Sequence, residues 1–64
     1  VLKVDGKKVE VQRVIKDLSQ QELAKKAKVS RTYISKIESG KVNPSISILA
    51  KIANALGCSI KDFL

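Results

Sequence analysis

Histidine is absent from this chain of 64 residues, and cysteine, proline, tyrosine and phenylalanine each occur only once. Without histidine, the commonest general base and metal ligand is missing, so catalytic and metal-centred chemistry lack their usual side chain. The single thiol, Cys58, has no partner for a disulfide, which points to a reducing cytoplasm. It lies between Gly57 and Ser59, where a small apolar residue would fit equally well, and reads as a core cysteine rather than a reactive one. With Tyr33 and Phe63 as the only aromatics, unpaired bases have little to stack on, which disfavours single-stranded nucleic acid. No run approaches the roughly 18 apolar residues of a membrane span, and the first residues lack a signal-peptide core. The chain opens on Val1 rather than Met, which suggests processing or excision from a longer chain. A chain of this length buries only about 60% of the surface it exposes when unfolded, so a single compact domain over 1–64 is expected, with little room for an enclosed active site.

Acidic residues are scarce as well, six against thirteen basic ones, for a net charge of +7. The excess is localised. Residues 25–41 carry Lys25, Lys26, Lys28, Arg31, Lys36 and Lys41 against Glu38 alone, whereas the segments on either side each carry an excess of one. A field of this kind draws a polyanion, because each phosphate neutralised releases condensed counterions. A lysine face that is merely solvated has the same composition, so the motif within that window must decide between them.

What the sequence does contain is a series of short helices with starts and stops. Ser19-Gln20-Gln21-Glu22 reads as a capping box, and Leu23, Ala24 and Ala27 follow at helical spacing, giving a helix over 20–27. Ser30 is the next cap, opening a helix over 31–39 whose buried stripe is Ile34 and Ile37 and which Gly40 ends. Arg31, Thr32, Ser35 and Lys36 fall on its other side. Pro44 ends any continuation through Lys41-Val42-Asn43. Ser45 caps a helix over 46–56 with Ile46, Leu49, Ile52, Ala53 and Leu56 at spacings of three and four, stopped by Gly57. Ser59 with Asp62 opens a last short helix over 60–63, with Phe63 and Leu64 as core plugs. The first residues read as an extended arm, 1–6, then a helix from about Lys7 to Asp17 in which Val14 and Ile15 add apolar contacts. Four β-branched residues between Val9 and Ile15 lower its propensity, and a hairpin of Val1 to Val4 with Lys7 to Val11 about Asp5-Gly6 is the alternative.

Two short helices separated by Lys28-Val29, with a cap at Ser30, have the spacing of a DNA-binding helix-turn-helix. Beyond spacing, Ser19-Gln20-Gln21-Glu22-Leu23-Ala24, Val29-Ser30-Arg31, Ile34-Ser35-Lys36-Ile37-Glu38-Ser39-Gly40-Lys41, Asn43-Pro44-Ser45 and Ile52-Ala53-Asn54-Ala55-Leu56-Gly57 occur in order. This set resembles the phage repressor and Cro family, also called the xenobiotic-response-element family of bacterial and archaeal regulators, without gaps from about Asp5 to Leu64. The resemblance implies an all-α fold of five short helices like that of lambda repressor. It implies phosphate contacts from Gln20 and the helix it opens, with Ser19, Ser30, Ser39, Lys41 and Asn43 beside it, and groove or base contacts from Arg31, Thr32, Ser35 and Lys36. It also implies a partly buried structural ion pair between Arg13 and Glu38. Three positions depart from the pattern: Lys28 and Asp17 stand where glycine is common, so both are candidates for a left-handed backbone, and Gln12 stands where an apolar residue is usual.

The chemistry of those side chains agrees with these roles. Arg31 can donate two hydrogen bonds to guanine O6 and N7, Thr32 can bond or offer its methyl to thymine, and Lys36, one turn on, can reach a base or a phosphate. The expectation is a non-enzymatic, sequence-specific regulator of transcription on double-stranded DNA, nucleoid-associated, with no cofactor, no metal, no membrane and no evident small-molecule site. A homodimer on DNA is expected, meeting near the fifth helix, with half-site centres about one helical turn apart. The competing reading is an antitoxin or adaptor that uses the same scaffold to hold a protein.

Overall fold

The computed structural model describes residues 3–64, and these form four α-helices and one 3₁₀ helix: α1 (Gly6–Ile15), α2 (Gln20–Ala27), α3 (Arg31–Glu38), α4 (Ile46–Leu56) and the 3₁₀ helix Ile60–Phe63. Each α-helix begins at an oxygen-bearing cap. The side chains of Asp5, Ser19, Ser30 and Ser45 accept from the backbone N–H groups of Lys7, Glu22, Tyr33 and Ile48 respectively. Each also ends alike. Leu18, Val29, Lys41 and Cys58 donate from their backbone N–H to the carbonyls of Arg13, Ala24, Lys36 and Ala53, with Asp17, Lys28, Gly40 and Gly57 in the left-handed region before them. This double closure, a six-residue loop around a four-residue one closed by the N–H of the left-handed residue, satisfies carbonyls that a helix end otherwise leaves bare. Glycine fills two of the four left-handed positions, while Asp17 and Lys28 hold a φ of 59° despite their Cβ atoms.

Four differences from the sequence-based expectation have simple causes. The fifth helix is not an α-helix: Asp62 and Leu64 donate to Ser59 and Lys61, three residues back, because four residues are too few for an α ladder. The first helix starts at Gly6 and stops at Ile15, ended by the left-handed Asp17. Lys7 to Val11 is helical, so the hairpin does not form, although its Val1 and Leu2, like those of the expected arm, lie outside the described residues. Several residues assigned to the interior are outside it. Val14, Ile15, Ile46 and Leu64 are 61%, 65%, 52% and 40% exposed, since α1 rests on its Val9 and Arg13 side and Ile46 opens α4 on its solvent flank.

The core consists of Val9, Leu23, Ala24, Ala27, Ile34, Ile37, Leu49, Ile52, Ala53, Leu56 and Phe63, with Tyr33, Val29 and Cys58 packed around it. α2 lies against both α3 and α4, α1 against α3, and the 3₁₀ helix closes on α1 and α4. The α1–α3 contact is close enough to require glycine. A Cβ on Gly6 would collide with the Ile37 carbonyl oxygen and come within 2.9 Å of that of Glu38. The N-terminal segment is tied down by hydrogen bonds from Val4 N–H to Asn43 Oδ1 (3.0 Å) and from Asp5 N–H to the Phe63 carbonyl (2.7 Å). Among the described residues, no helix is long and apolar enough to cross a membrane.

Candidate nucleic-acid interface

α2 and α3 meet at the left-handed Lys28, and both begin at serine caps. At α2, Glu22 N–H donates to Ser19 Oγ (3.0 Å) while Ser19 N–H donates to Glu22 Oε1 (2.8 Å). The backbone N–H of Ser19, with help from its hydroxyl and from Lys26, holds the Glu22 carboxyl below the usual carboxylate range. At α3, Ser30 Oγ accepts from Tyr33 N–H (3.1 Å). The first turn of each helix leaves N–H groups without an intrahelical partner, and these present partial positive charge to any anion that approaches.

Ile34 and Ile37 are buried and fix α3 from behind, while Arg31, Thr32, Ser35 and Lys36 are all exposed. Arg31 and Ser35, and likewise Thr32 and Lys36, are four residues apart, so the four side chains form two adjacent rows on one outward face. Ser39 and Lys41 follow at the end of the same helix, exposed, with Ser39 Oγ donating to the Lys36 carbonyl (3.1 Å).

Glu38, the only acid between Lys25 and Lys41, faces away from that surface, its side chain 4% exposed. Its carboxylate accepts from Arg13 Nε (2.8 Å), Arg13 Nη2 (3.2 Å) and Gln20 Nε2 (3.0 Å). Arg13 Nη1 donates onward to the Leu18 carbonyl (2.7 Å). The guanidinium thus bridges the C-terminus of α3 to the loop between α1 and α2. It brings together Arg13, Glu38 and Gln20, which the sequence scatters over 26 positions. A carboxylate hidden in this way leaves the exposed charge of the window wholly positive.

Two residues have a place the sequence did not suggest. Gln20, expected to hold a phosphate, also donates to Glu38; its second amide hydrogen is the one left for an external acceptor. Asn43, expected at a phosphate, uses Oδ1 to accept from the Val4 backbone and so fastens the N-terminal segment. Gly6 gave no functional signal in the sequence, since a glycine before a helix is usually read as a turn, and only the α1–α3 distance shows its role. Cys58 is partly buried, and burial first, then Asp62, push its thiol above the ordinary range against the pull of Lys16. A thiol held in its neutral form suits packing better than reaction.

Comparison with known proteins places this geometry among regulators. Residues 11–63 match the helix-turn-helix family. The chain is 45% identical over 60 residues to control protein C.BamHI of Bacillus amyloliquefaciens, covering 92% of this chain and 74% of that protein. It is 40% identical over 55 residues to an immunity repressor protein of Bacillus phage phi105, covering 86% of this chain but only 38% of the repressor. Among solved structures, that of SinR, a master regulator for biofilm formation, in complex with DNA superposes with a TM-score of 0.87 at 38% identity, covering 92% of this chain and 98% of that one.

Proposed function

The chain belongs to the helix-turn-helix family in its phage repressor and Cro form, and from that premise we propose that it binds double-stranded DNA in a sequence-specific manner and regulates transcription. α3 enters the major groove and α2 crosses the adjoining backbone. Arg31 reads guanine bidentately, Thr32 and Lys36 contact neighbouring bases or phosphates, and Ser35 lies along the groove between them. Gln20, at the N-terminus of α2, takes a phosphate through its remaining amide hydrogen, and Ser19, Ser30, Ser39, Lys41 and Asn43 flank the phosphates on either side. Arg13 and Glu38 act as scaffold, holding Gln20 in place for that contact. The chain works as a single non-enzymatic unit in the cytoplasm and occupies paired half-sites as a homodimer.

The observation that carries this reading is the polar, cationic outer row of α3, backed by Ile34 and Ile37 and freed of its one acid by the inward turn of Glu38. The test is selection of bound duplexes from a random pool, followed by Arg31→Ala. An enriched, two-fold symmetric site is expected, and the variant should lose about 1 to 3 kcal/mol of discrimination at one base pair of each half-site. No enriched site, with retained capture of a protein partner, would instead mark the chain as an adaptor.

A further inference from the structure

A second basic site lies apart from the outer row of α3. Lys26, Ala27 and Lys28, at the end of α2, and Lys51, Asn54 and Ala55, from α4, line one open concavity of about 250 Å³. None of the groove-facing residues is among them.

Lysines at the end of a helix complement its dipole, and this accounts for Lys25, Lys26 and Lys28. It does not account for Lys51, which stands mid-way along α4 and joins the others because α4 packs on α2. Apart from Glu22, which attracts Lys26 from one turn away, the acids are placed elsewhere. Asp5, Glu22 and Asp62 accept from backbone N–H groups at helix starts, Glu38 is taken by Arg13 and Gln20, Glu10 lies by Lys7, and Asp17 stands at the left-handed close of α1 and does not line the hollow. Among the described residues the ion pairs are Lys7–Glu10 and Arg13–Glu38, and no carboxylate lines the concavity. Glu22 keeps its charge and attracts Lys26, but its carboxylate is held at Ser19 and does not line the hollow, and Lys28 and Lys51 are left without it. Three lysines lining one hollow set up a positive field there, and an anion seated in it is attracted. Lys28 supplies a separate observation. Its φ of 59° is one that glycine adopts without strain, yet a cationic side chain occupies the position and lines the hollow.

We propose that this concavity binds a phosphate-bearing anion with at least two phosphoryl groups, using Lys26, Lys28 and Lys51 as cationic ligands and the Asn54 carboxamide as a donor. The volume suits a diphosphate, and the open side admits whatever that group is attached to. Lys28 lies two residues before the Ser30 cap, so an anion that holds Lys28 also stiffens the turn from which α3 emerges. Occupancy therefore bears on how α3 is presented, although the site itself does not depend on what α3 binds.

The phosphoryl groups come either from a free di- or triphosphate or from backbone phosphates of DNA running beyond the half-site, and two arms separate these sources. In the first, pyrophosphate is titrated at constant ionic strength while amide resonances are followed. A free-anion site gives saturable shifts at residues 26–29 and 51–55 with none at Gln20 or Arg31, and Lys51→Gln weakens binding about tenfold while melting like the parent. In the second, Lys51→Gln is compared with the parent on a duplex limited to the half-sites and on one with extended flanks. A DNA source gives weaker binding to the long duplex alone, with its salt slope reduced by about 1. The proposal is overturned by pyrophosphate shifts that are absent, unsaturable or centred on Arg31, together with long-duplex binding that is unchanged or reduced no more than on the short one. The pyrophosphate arm stands even if no duplex binds, so failure of the α3 reading is seen separately.

Discussion

Glu38→Gln keeps the shape of a side chain that is 4% exposed and removes its charge. The carboxylate accepts three hydrogen bonds, two of them from the Arg13 guanidinium, which is itself only 13% exposed. An amide offers one acceptor oxygen where there were two, and because Arg13 donates to both oxygens, the NH2 faces an Arg13 donor in either orientation. The cation is then left nearly buried without a counter-charge, with the one amide oxygen and the Leu18 carbonyl as its protein acceptors. Exposed pairs are weakened by solvent, but this pair belongs with the buried class, where removing one partner costs about 3 to 5 kcal/mol. The lower end applies, because Arg13 keeps that carbonyl and some access to water. A domain of 64 residues has a total stability of about 3 to 10 kcal/mol, so a loss of about 3 kcal/mol corresponds to a fall in Tm of about 12 to 24 °C. Circular dichroism in thermal and urea unfolding measures it, with the m-value expected to hold. Replacing both partners by apolar residues of similar volume, Arg13→Met with Glu38→Leu, should recover most of the loss. A single variant melting within about 2 °C of the parent would refute the reasoning, since the carboxylate would then not be compensating a buried charge.

Other consequences are as open to measurement. Lys28→Gly should raise stability by about 1 kcal/mol by removing a Cβ from a left-handed position, as read from urea midpoints, and an unchanged or lower midpoint contradicts the strain. Gly6→Ala should destabilise the domain by about 1 to 3 kcal/mol, because α1 must move off the Ile37 and Glu38 carbonyls, and unchanged stability would mean the helices separate freely. Glu22 titrates lower in the folded chain than in the unfolded one, so its stabilising effect is complete above the unfolded pKa and is lost as the pH falls through the folded one. Urea unfolding across that acidic range should therefore show a shallower decline for Glu22→Gln than for the parent.

The candidate interface was legible to the extent that it is local. Ser19, Glu22, Ser30 and the Ile34/Ile37 stripe each announce themselves within four residues, because capping and helical periodicity are short-range rules, and they alone orient Arg31, Thr32, Ser35 and Lys36 outward. The second hydrogen bond of Gln20 and the engagement of Asn43 with Val4 were not legible. Their partners lie 18 and 39 positions away, and nothing in either neighbourhood distinguishes a bonded amide from a solvated one.

The same division holds for the protein as a whole. By itself the sequence determined, to within a residue, where α2, α3 and α4 start and stop and where positive charge accumulates, since these depend on backbone geometry and counting over a few residues, while the left-handed Lys28 and Asp17 were expected from the family resemblance. That Val14, Ile15, Ile46 and Leu64 stay outside the core, that α1 approaches α3 closely enough to exclude a Cβ at Gly6, and that Lys51 joins Lys26 and Lys28 were decided only by the tertiary structure. Hydrophobic residues such as Val14 and Ile15 look alike in sequence whether they face a neighbour or water, and it is the packing angle of one helix on another that chooses between them.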